Sequence, residues 1–267
     1  MLSRRLQRGA AAAITAIAAA VLIFFIGLPL LSIFLRVPLS TLVHQLHSQV
    51  ARDALAVSLK TSLTSLAFIV VVGTPVAHLI ATKRFPGRNV LATFLELPLV
   101  LPPVVAGIAL FAAFGRLGLL GHQLYALHIH IPFTWVAVVM AQSFVSMPFY
   151  VRQATAGFAS VDRQLVGASR TLGAGPARSF FRIEAPLSSR SLSAGATLAW
   201  ARALGEFGAT ALFAGSLPGI TQTLPLAVYA EFSALNFNAT LAMSALLVAV
   251  SFAILLVVRV AFQWRVT

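Results

Sequence analysis

Residues 61–82 of this 267-residue chain read TSLTSLAFIVVVGTPVAHLIAT, a run of 22 uncharged residues between Lys60 and Lys83. A helix needs about 20 mostly apolar residues to cross the hydrocarbon core of a bilayer, so this run predicts a membrane span. Over the whole chain, 59% of residues are hydrophobic and 9% are charged, whereas a soluble domain carries about 25% charged residues. The composition excludes a water-soluble globule and indicates a polytopic, all-α membrane protein.

The remaining composition narrows the class of protein further. The chain has no cysteine, which excludes a disulfide-stapled secreted fold and a thiol-ligated metal domain. Its 19 Lys and Arg against 6 Asp and Glu give a net charge of +13, a surplus that would also suit nucleic-acid binding. So few charges between long apolar runs are more typical of the cytoplasmic loops of a membrane protein, and we predict no nucleic-acid partner.

Charged residues divide the chain into apolar runs that predict six membrane spans. The fifth span, Leu192–Ala214, contains Arg202 and Glu206, and the uncharged alternative at 207–230 is interrupted by prolines. We prefer the first assignment because most Lys and Arg of the loops then lie on one side of the membrane. The other five spans lie within 9–35, 61–82, 90–115, 132–151 and 232–258.

Positive charge is distributed unevenly between the two predicted faces of the membrane. With the N-terminus inside, 14 Lys and Arg lie on the inner face and 4 on the outer face, and Arg202 remains within a span. An excess of Lys and Arg marks the cytoplasmic side, so both termini are predicted to be cytoplasmic. The inner residues are Arg4, Arg5, Arg8, Lys83, Arg84, Arg88, Arg152, Arg163, Arg170, Arg178, Arg182, Arg190, Arg259 and Arg265.

The N-terminus also has features of a secretory signal, since basic residues precede an alanine-rich run. The apolar core of such a signal has about 7–15 residues, and the uncharged run here has 27. We therefore expect the segment to remain in the protein as its first span.

The longest inner connection, residues 152–190, begins with the signals of a short helix. Asp162 is placed to cap a helix that continues through Leu172, and Gly173 follows where a helix end favours a residue that tolerates positive φ. Small or apolar residues recur at helical spacing within it: Leu165, Ala168, Ser169 and Leu172.

The second half of this connection predicts another short helix. Pro176 suits its first turn, and Pro186 is expected to end it. We expect this helix to present Phe180, Phe181 and Ile183 on one side. Two explanations stay open from the residues alone: a rigid knob for a cytoplasmic partner, or an interfacial loop whose aromatic side chains touch lipid headgroups.

Small residues and a proline recur in this connection at a fixed spacing. Gly167-Ala168-Ser169, three residues and Gly173 are followed after nine residues by Ile183-x-Ala185-Pro186. The pattern resembles the EAA loop of ABC-importer permeases, E-A-A-x₃-G-x₉-I-x-L-P, with Gly, Ser and Ala in place of the Glu, the second Ala and the Leu. The resemblance implies an ATPase-coupling role for Gly167, Ala168, Ser169, Arg170, Gly173, Ile183 and Pro186.

The resemblance extends over residues 54–258. The segments 97–107 (LPLVLPPVVAG), 202–210 (RALGEFGAT), 213–215 (FAG) and 221–229 (TQTLPLAVY) are similar to the permease subunit of molybdate ABC importers, within the molybdate, sulfate and tungstate group. The Thr-Gln-Thr-Leu-Pro-Leu run favours molybdate over sulfate. The resemblance implies a type I ABC-importer permease with six transmembrane helices, an N-terminal helix and periplasmic loop at 1–53, and a permease core at 54–267 with its cytoplasmic coupling loop at 152–190.

The resemblance also implies the partners of the chain. In that family, two permease copies form a homodimer in the bacterial inner membrane, among lipids. A cytoplasmic ABC ATPase dimer grips the EAA loops, and a periplasmic protein delivers the oxyanion.

The sequence lacks the parts that ATP hydrolysis would need. No G-x-x-x-x-G-K-[ST] phosphate-binding loop occurs, and neither of the two lysines, Lys60 and Lys83, follows a glycine. We predict a transport subunit with no catalytic residue and no cofactor, powered by a separate subunit.

Two polar groups are candidates for the pathway of the transported anion. Arg202 and Glu206 are four residues apart in an apolar span, so they can pair on one helix face, and ionisable residues inside a membrane are functional candidates. Arg202 could attract the anion while Glu206 limits its binding, or the pair could only fix helix packing. Thr221, Gln222 and Thr223 offer neutral donors for a tetraoxyanion, or form a solvated outer turn.

Prolines and histidines add two smaller expectations. Pro98, Pro102 and Pro103 favour a bend at the start of the third span, near the pathway, because proline lacks a backbone donor. Five of the six histidines are assigned to outer loops, and His128-x-His130 lacks nearby carboxylates, so we predict no metal site.

Three alternative functions remain open. The first is the same machine carrying sulfate, thiosulfate or tungstate. The second is a secondary anion carrier driven by an ion gradient, a class that often shows internal repeats, of which the sequence gives no clear sign. The third is a membrane-embedded enzyme, which is disfavoured because Glu206 is the only carboxylate placed well inside a span.

Overall fold

The computed structural model of the protein describes the backbone of residues 2–263 and the side chains of residues 13–45 and 47–257. Every regular element in this described range is a helix, as the apolar runs predict. Five of the arginines behind the predicted charge bias lie outside the described side chains: Arg4, Arg5, Arg8, Arg259 and Arg265.

Fourteen α-helices and one π-helical segment follow one another along the described residues. They are α1 (Leu2–Leu35), α2 (Leu39–Leu46), α3 (Gln49–Thr82), α4 (Arg88–Val100), α5 (Pro103–Phe114), α6 (Gly121–Ala126), α7 (Trp135–Ala159), α8 (Arg163–Thr171), α9 (Pro176–Ser179), the π segment (Phe180–Glu184), α10 (Ala185–Leu187), α11 (Ser189–Leu204), α12 (Gly208–Phe213), α13 (Leu224–Ser233) and α14 (Phe237–Gln263).

Three helices are long and apolar enough to cross a bilayer within the described residues: Ala13–Leu35 of α1, all of α3, and Phe237–Val257 of α14. A fourth crossing results if α4 and α5, which meet at an angle of 115°, are counted as one broken span. The sharp change of direction confirms the bend predicted from Pro98, Pro102 and Pro103. Pro103 opens α5, where a missing N–H breaks no helical hydrogen bond.

The predicted fourth span is longer than the sequence suggests. Helix α7 begins after Thr134, whose side chain accepts a hydrogen bond from the Ala137 backbone N–H, and it continues through Ala159. The first residues of the 152–190 connection therefore prolong this helix instead of forming a loop.

The predicted fifth span is not one continuous helix. Helix α11 ends at Leu204 and α12 begins at Gly208. Between them, the Glu206 carboxylate accepts a hydrogen bond from the Ala209 backbone N–H at 2.8 Å. This contact satisfies a donor of the first turn of α12, so it favours a new helix start over continuation of α11.

Close packing of α3, α7 and α11 forms the central body of the described structure. A Cβ atom placed on Gly73 of α3 or on Gly195 of α11 would lie 2.9 Å from a side-chain atom of α7. Small residues allow helix backbones to approach closely within a membrane, where apolar burial gives little drive for association. The core around them consists of Ile69, Ala77, Tyr150, Val151, Ala154, Phe158 and Ala199.

Helix α3 also carries a polar stripe at i, i+3, i+4 and i+7. Its members are buried: Ser58, Thr61, Ser62 and Ser65. The Trp200 indole N–H donates to Ser62 Oγ at 3.1 Å, and the Leu224 backbone N–H donates to Ser58 Oγ at 2.7 Å. The stripe therefore joins α3 to α11 and to the start of α13 through buried hydrogen bonds.

Candidate functional site

The first half of the connection that resembles an EAA loop (152–190, hereafter the EAA-like loop) has the local structure predicted for it. Asp162 caps α8 by accepting a hydrogen bond from the Gln164 backbone N–H at 2.8 Å. Gly173 follows α8 with φ of 84°, and its N–H donates to the Arg170 carbonyl at 2.9 Å. Both the predicted N-cap and the predicted positive φ at Gly173 are confirmed.

The second half of the EAA-like loop differs from the prediction. Pro176 opens α9 as expected, but the chain then passes through the π segment and α10 into α11. Pro186 does not end the helix, so that prediction is wrong. Proline is tolerated in the first turn of a helix, and Pro186 occupies that position in α10.

Phe180, Phe181 and Ile183 do not share one side, contrary to the prediction. Phe180 and Ile183 are partly buried, whereas Phe181 is 71% exposed. Adjacent residues of a helix do not face the same way, so Phe181 points outward while Phe180 packs against the bundle.

Part of the surface of α8 is held by the protein, and the part beside it is uncovered. Val166 is buried, and Ser169 Oγ lies 2.7 Å from Ser179 Oγ, which joins the two halves of the loop across Gly173. On the side of Ser169 away from Val166, Leu165 is exposed, and Leu172, directly after α8, is 88% exposed. An apolar face held this rigidly and left uncovered is suited to a protein partner.

The residues implied for coupling occupy both faces of this loop. Gly167, Ala168, Arg170 and Pro186 are exposed, Ser169 joins the two halves, and Ile183 is partly buried. A Cβ atom placed on Gly167 would have no neighbour within 4 Å. Nothing in the described residues would therefore exclude the glutamate that the EAA pattern has at this position.

Sequence reasoning missed a buried carboxylate in the same loop. Glu184, the variable residue of the Ile-x-Ala-Pro motif, is 3% exposed, and its Oε2 atom lies 3.0 Å from His78 Nε2 and 3.5 Å from Arg163 NH1. One signal was present in the sequence: His78 near the end of an uncharged span required a polar partner.

The Arg202–Glu206 pair forms as predicted, but the two residues do not lie on one helix. Arg202 NH2 lies 2.6 Å from Glu206 Oε2, and the Glu206 side chain has no exposure. Arg202 belongs to the last turn of α11, and Glu206 lies in the gap before α12. The carboxylate therefore has two functions, because it neutralises Arg202 and caps α12.

The two helix breaks of the structure lie next to each other. A Cβ atom placed on Gly208 of α12 would lie 2.9 Å from Pro103 Cβ, and one placed on Gly107 of α5 would lie 2.7 Å from the Ala209 carbonyl oxygen. Only glycine permits this approach of α5 and α12. The approach brings the gap that contains Glu206 beside the proline bend.

Thr221 and Thr223 are fully buried and Gln222 is nearly so, which makes the solvated-turn alternative wrong. Thr221 Oγ1 accepts a hydrogen bond from the Leu217 backbone N–H at 2.9 Å, and Gln222 Nε2 donates to Ser216 Oγ at 3.2 Å. Thr223 Oγ1 is buried without a partner among the described atoms. In the described side chains no hydrogen bond joins this cluster to Arg202 or Glu206.

The EAA-like loop, with its exposed residues, therefore lies at one end of α11, and the Arg202–Glu206 pair lies at the other end. Helix α11 has 16 residues, which corresponds to about 24 Å at 1.5 Å per residue. One helix therefore connects the EAA-like loop to the Arg202–Glu206 pair.

The comparisons with known proteins agree with this geometry. A family model described as "Binding-protein-dependent transport system inner membrane component" matches residues 69–266, most of the chain. The chain belongs to this family. It is a permease component of such a transport system and is not itself the ATPase.

Two relatives and one solved structure define what this permease is similar to. It is 44% identical over 233 residues to the molybdenum transport system permease protein ModB of Mycobacterium tuberculosis, with 86% of each chain covered. It is 43% identical over 178 residues to ModB of Escherichia coli K12, with 66% of this chain and 78% of the relative covered. A crystal structure of a bacterial ABC transporter that imports alginate matches with a TM-score of 0.76 and 15% identity, covering 100% and 99% of the two chains, and supports the fold.

The double role of Glu206 generates a graded prediction for the stability of the permease. Glu206→Gln removes the ion pair but keeps an acceptor for Ala209, and we expect it to cost about 1–3 kcal/mol. Glu206→Ala also removes the cap, and we expect a further loss of about 1 kcal/mol. Thermal unfolding in detergent measures both, with exposed Glu96 changed to Gln as the control. Equal unfolding temperatures for the two Glu206 variants would contradict the capping role.

Proposed function

We propose that this permease forms the transmembrane pathway for molybdate in an ABC importer that a separate ATPase drives. The observation that carries the mechanism is the EAA-like loop, which is fixed to the bundle through Val166 and Arg163 and leaves Leu165 and Leu172 uncovered. The likeness to relatives named as molybdenum permeases supports the choice of cargo.

The proposed topology has six spans in the bacterial inner membrane and both termini in the cytoplasm. Helix α7, with 25 residues, and the broken pair α11–α12 supply two crossings beyond α1, α3, α4–α5 and α14. Contacts of Glu184 and Arg163 with α3 place the EAA-like loop at the end of α3 that continues into Lys83, Arg84 and Arg88. This concentration of positive charge supports a cytoplasmic position for that end.

The proposed partners supply the functions for which this sequence has no motif, above all ATP hydrolysis. Two copies of the permease enclose the pathway, an ABC ATPase dimer covers α8 from the cytoplasm, and a periplasmic protein delivers the oxyanion. The exposure of α1 supports contact with lipid, because none of its described apolar stretch, Ala13–Leu35, is buried, although the helix contacts α14.

Arg202 is the proposed anion-attracting group of the pathway. Its side chain is partly exposed, whereas that of its partner Glu206 is buried. A cation held beside a carboxylate attracts an oxyanion without binding it tightly, as a permease requires. Thr221, Gln222 and Thr223 are proposed as neutral donors farther along the route. The unpartnered Thr223 Oγ1 supports this, and because the three side chains are buried, the proposal requires the permease to expose them when it changes conformation.

Reconstitution in proteoliposomes tests the function. The permease is combined with its ATPase and its binding protein, and uptake of molybdate is compared with uptake of sulfate, thiosulfate and tungstate. The proposal predicts ATP-dependent molybdate uptake that requires all three components. Preferred uptake of another oxyanion would contradict molybdate as the substrate but not the ABC-importer mechanism.

One observation favours a second candidate function, a secondary anion carrier. The broken helices α4–α5 and α11–α12 are of the kind that line substrate sites in carriers driven by ion gradients. The same vesicles decide between the two. Uptake by the permease alone under an imposed ion gradient, with no ATPase present, would contradict the ABC mechanism.

Gly173→Ala tests the role of the EAA-like loop against a matched glycine. Gly173 and Gly87 both have φ of 84°, and a Cβ on either would find open space. A left-handed backbone costs other residues about 1–2 kcal/mol, so both alanine variants should lose similar stability. Only Gly173→Ala should reduce the amount of ATPase that co-purifies with the permease. Equal loss of ATPase from both variants would contradict the coupling role.

Arg202→Ala separates a pathway role from a packing role. We expect uptake to fall by more than tenfold while the amount of assembled complex stays within about twofold, because the cation that attracts the anion is lost. Arg202→Lys keeps the charge and should recover part of the uptake, and Arg36→Ala, on an exposed outer residue, is the control. Poor assembly with unchanged uptake per assembled complex would show that the pair only fixes packing.

A further inference from the structure

Glu184 is a charged residue that neither the EAA pattern nor the pathway explains. It ends the π segment and is 3% exposed. Burying a carboxylate is costly unless it is paired and hydrogen-bonded, so its surroundings must compensate for the lost hydration.

A histidine and an arginine from two different elements lie close enough to the Glu184 carboxylate to replace its lost hydration. Glu184 Oε2 lies 3.0 Å from His78 Nε2 on α3 and 3.5 Å from Arg163 NH1, at the first residue of α8. Arg163 NH2 also donates to the Ala81 carbonyl of α3 at 3.3 Å. A single carboxylate oxygen therefore joins the start of α8, the end of α3 and the π segment.

Aromatic packing fixes the histidine in this arrangement. The His78 ring lies edge-on to Phe158 of α7, with 5.2 Å between centroids, and edge-on to Phe180 of the π segment, with 5.1 Å. Phe158 is fully buried, and its ring also lies 5.8 Å from Phe180. The His78 ring is thereby held by α7 and the π segment. The cluster of Glu184, His78 and Arg163 thus connects four elements: α3, α7, α8 and the π segment.

The backbone at Glu184 has a conformation suited to a joint. The segment Phe180–Glu184 is a single π turn between α9 and α10. Such turns are rare and occur mostly at functional sites. The loop thus changes its helical geometry where its buried carboxylate contacts the bundle.

Helix α3 extends from this cluster to the polar segment near the other end of the bundle. His78 and Ser58 are twenty positions apart on α3, which corresponds to about 30 Å. Ser58 Oγ accepts the Leu224 backbone N–H, directly after the buried Thr223. A shift of α3 along its axis would therefore move the contact beside the proposed pathway donors.

We propose that the cluster of Glu184, His78 and Arg163 is the joint that passes displacement of α8 to α3 and α7. Glu184 is a positioning residue in this account, which rests on the proposed function. Among the described residues, the polar side-chain contact that α8 makes to another element, apart from those of Arg163, is Ser169–Ser179, and Val166 adds apolar burial. The Ser169–Ser179 contact stays within the EAA-like loop, so the charged cluster is the polar link from α8 to the spans.

Glu184→Gln in the full complex tests this joint. The measured quantity is molybdate transported per ATP hydrolysed in proteoliposomes, with co-purification of the ATPase and thermal unfolding recorded in parallel. We expect the ratio to fall by about 2- to 30-fold, the range of coupling changes caused by single substitutions, while the ATPase remains bound. Glu231→Gln, which changes a carboxylate paired with Asn236 far along the chain, is the control.

Two further variants keep the proposal falsifiable if Glu184→Gln folds poorly. Arg163 is 47% exposed in its side chain, so Arg163→Gln should fold and should lower the same ratio. His78→Gln combined with Glu184→Gln should lower the ratio by less than the product of the two single effects, because the residues act on one contact.

The outcomes separate the joint from the function on which it rests. An unchanged ratio in Glu184→Gln and Arg163→Gln, with the wild-type complex transporting molybdate, would overturn the joint alone. A lower unfolding temperature with an unchanged ratio would assign the cluster a purely structural role and would also overturn it. Absence of ATP-dependent molybdate uptake in the wild-type complex would instead contradict the proposed function.

Discussion

Close packing of α7 against α3 and α11 is the constraint on which the rest of the structure depends. Gly73 and Gly195 leave no room for a side chain at the two contacts, so side chains of α7, among them Tyr150, pack directly against the backbones of α3 and α11. The EAA-like loop joins the end of α7 to the start of α11. Both ends of the loop are therefore fixed to one packed body, which is the arrangement that the proposed coupling requires.

The two buried carboxylates among the described residues lie where the backbone geometry changes. Glu206 fills the gap between α11 and α12, and Glu184 ends the π turn that leads into α10. Each carboxylate is paired with an arginine, which lowers the cost of burial. At both positions the helical hydrogen-bond pattern is altered, and the proposed joint lies at one of them, Glu184.

The sequence predicts local features better than the relations between elements. The Asp162 cap, the positive φ of Gly173 and the proline bend are confirmed, because each depends on the conformational preferences of one or two residues. The Glu184–His78 contact could not be derived, since it joins residues 106 positions apart and depends on how α3 meets the loop. The end assigned to a helix at Pro186 and the unbroken fifth span are wrong for a related reason: a π turn and a capping carboxylate decide the helix ends there.

The central claim is that an ATPase covers the exposed face of α8 from the cytoplasm. Because the natural chain has no cysteine, Ala168→Cys provides a single thiol on that face, and its labelling by a membrane-impermeant maleimide measures the claim directly. The account predicts rapid labelling in inside-out vesicles that contain the permease alone, and strong protection once the ATPase is bound. Labelling only from the periplasmic side, or labelling unaffected by the ATPase, would contradict it.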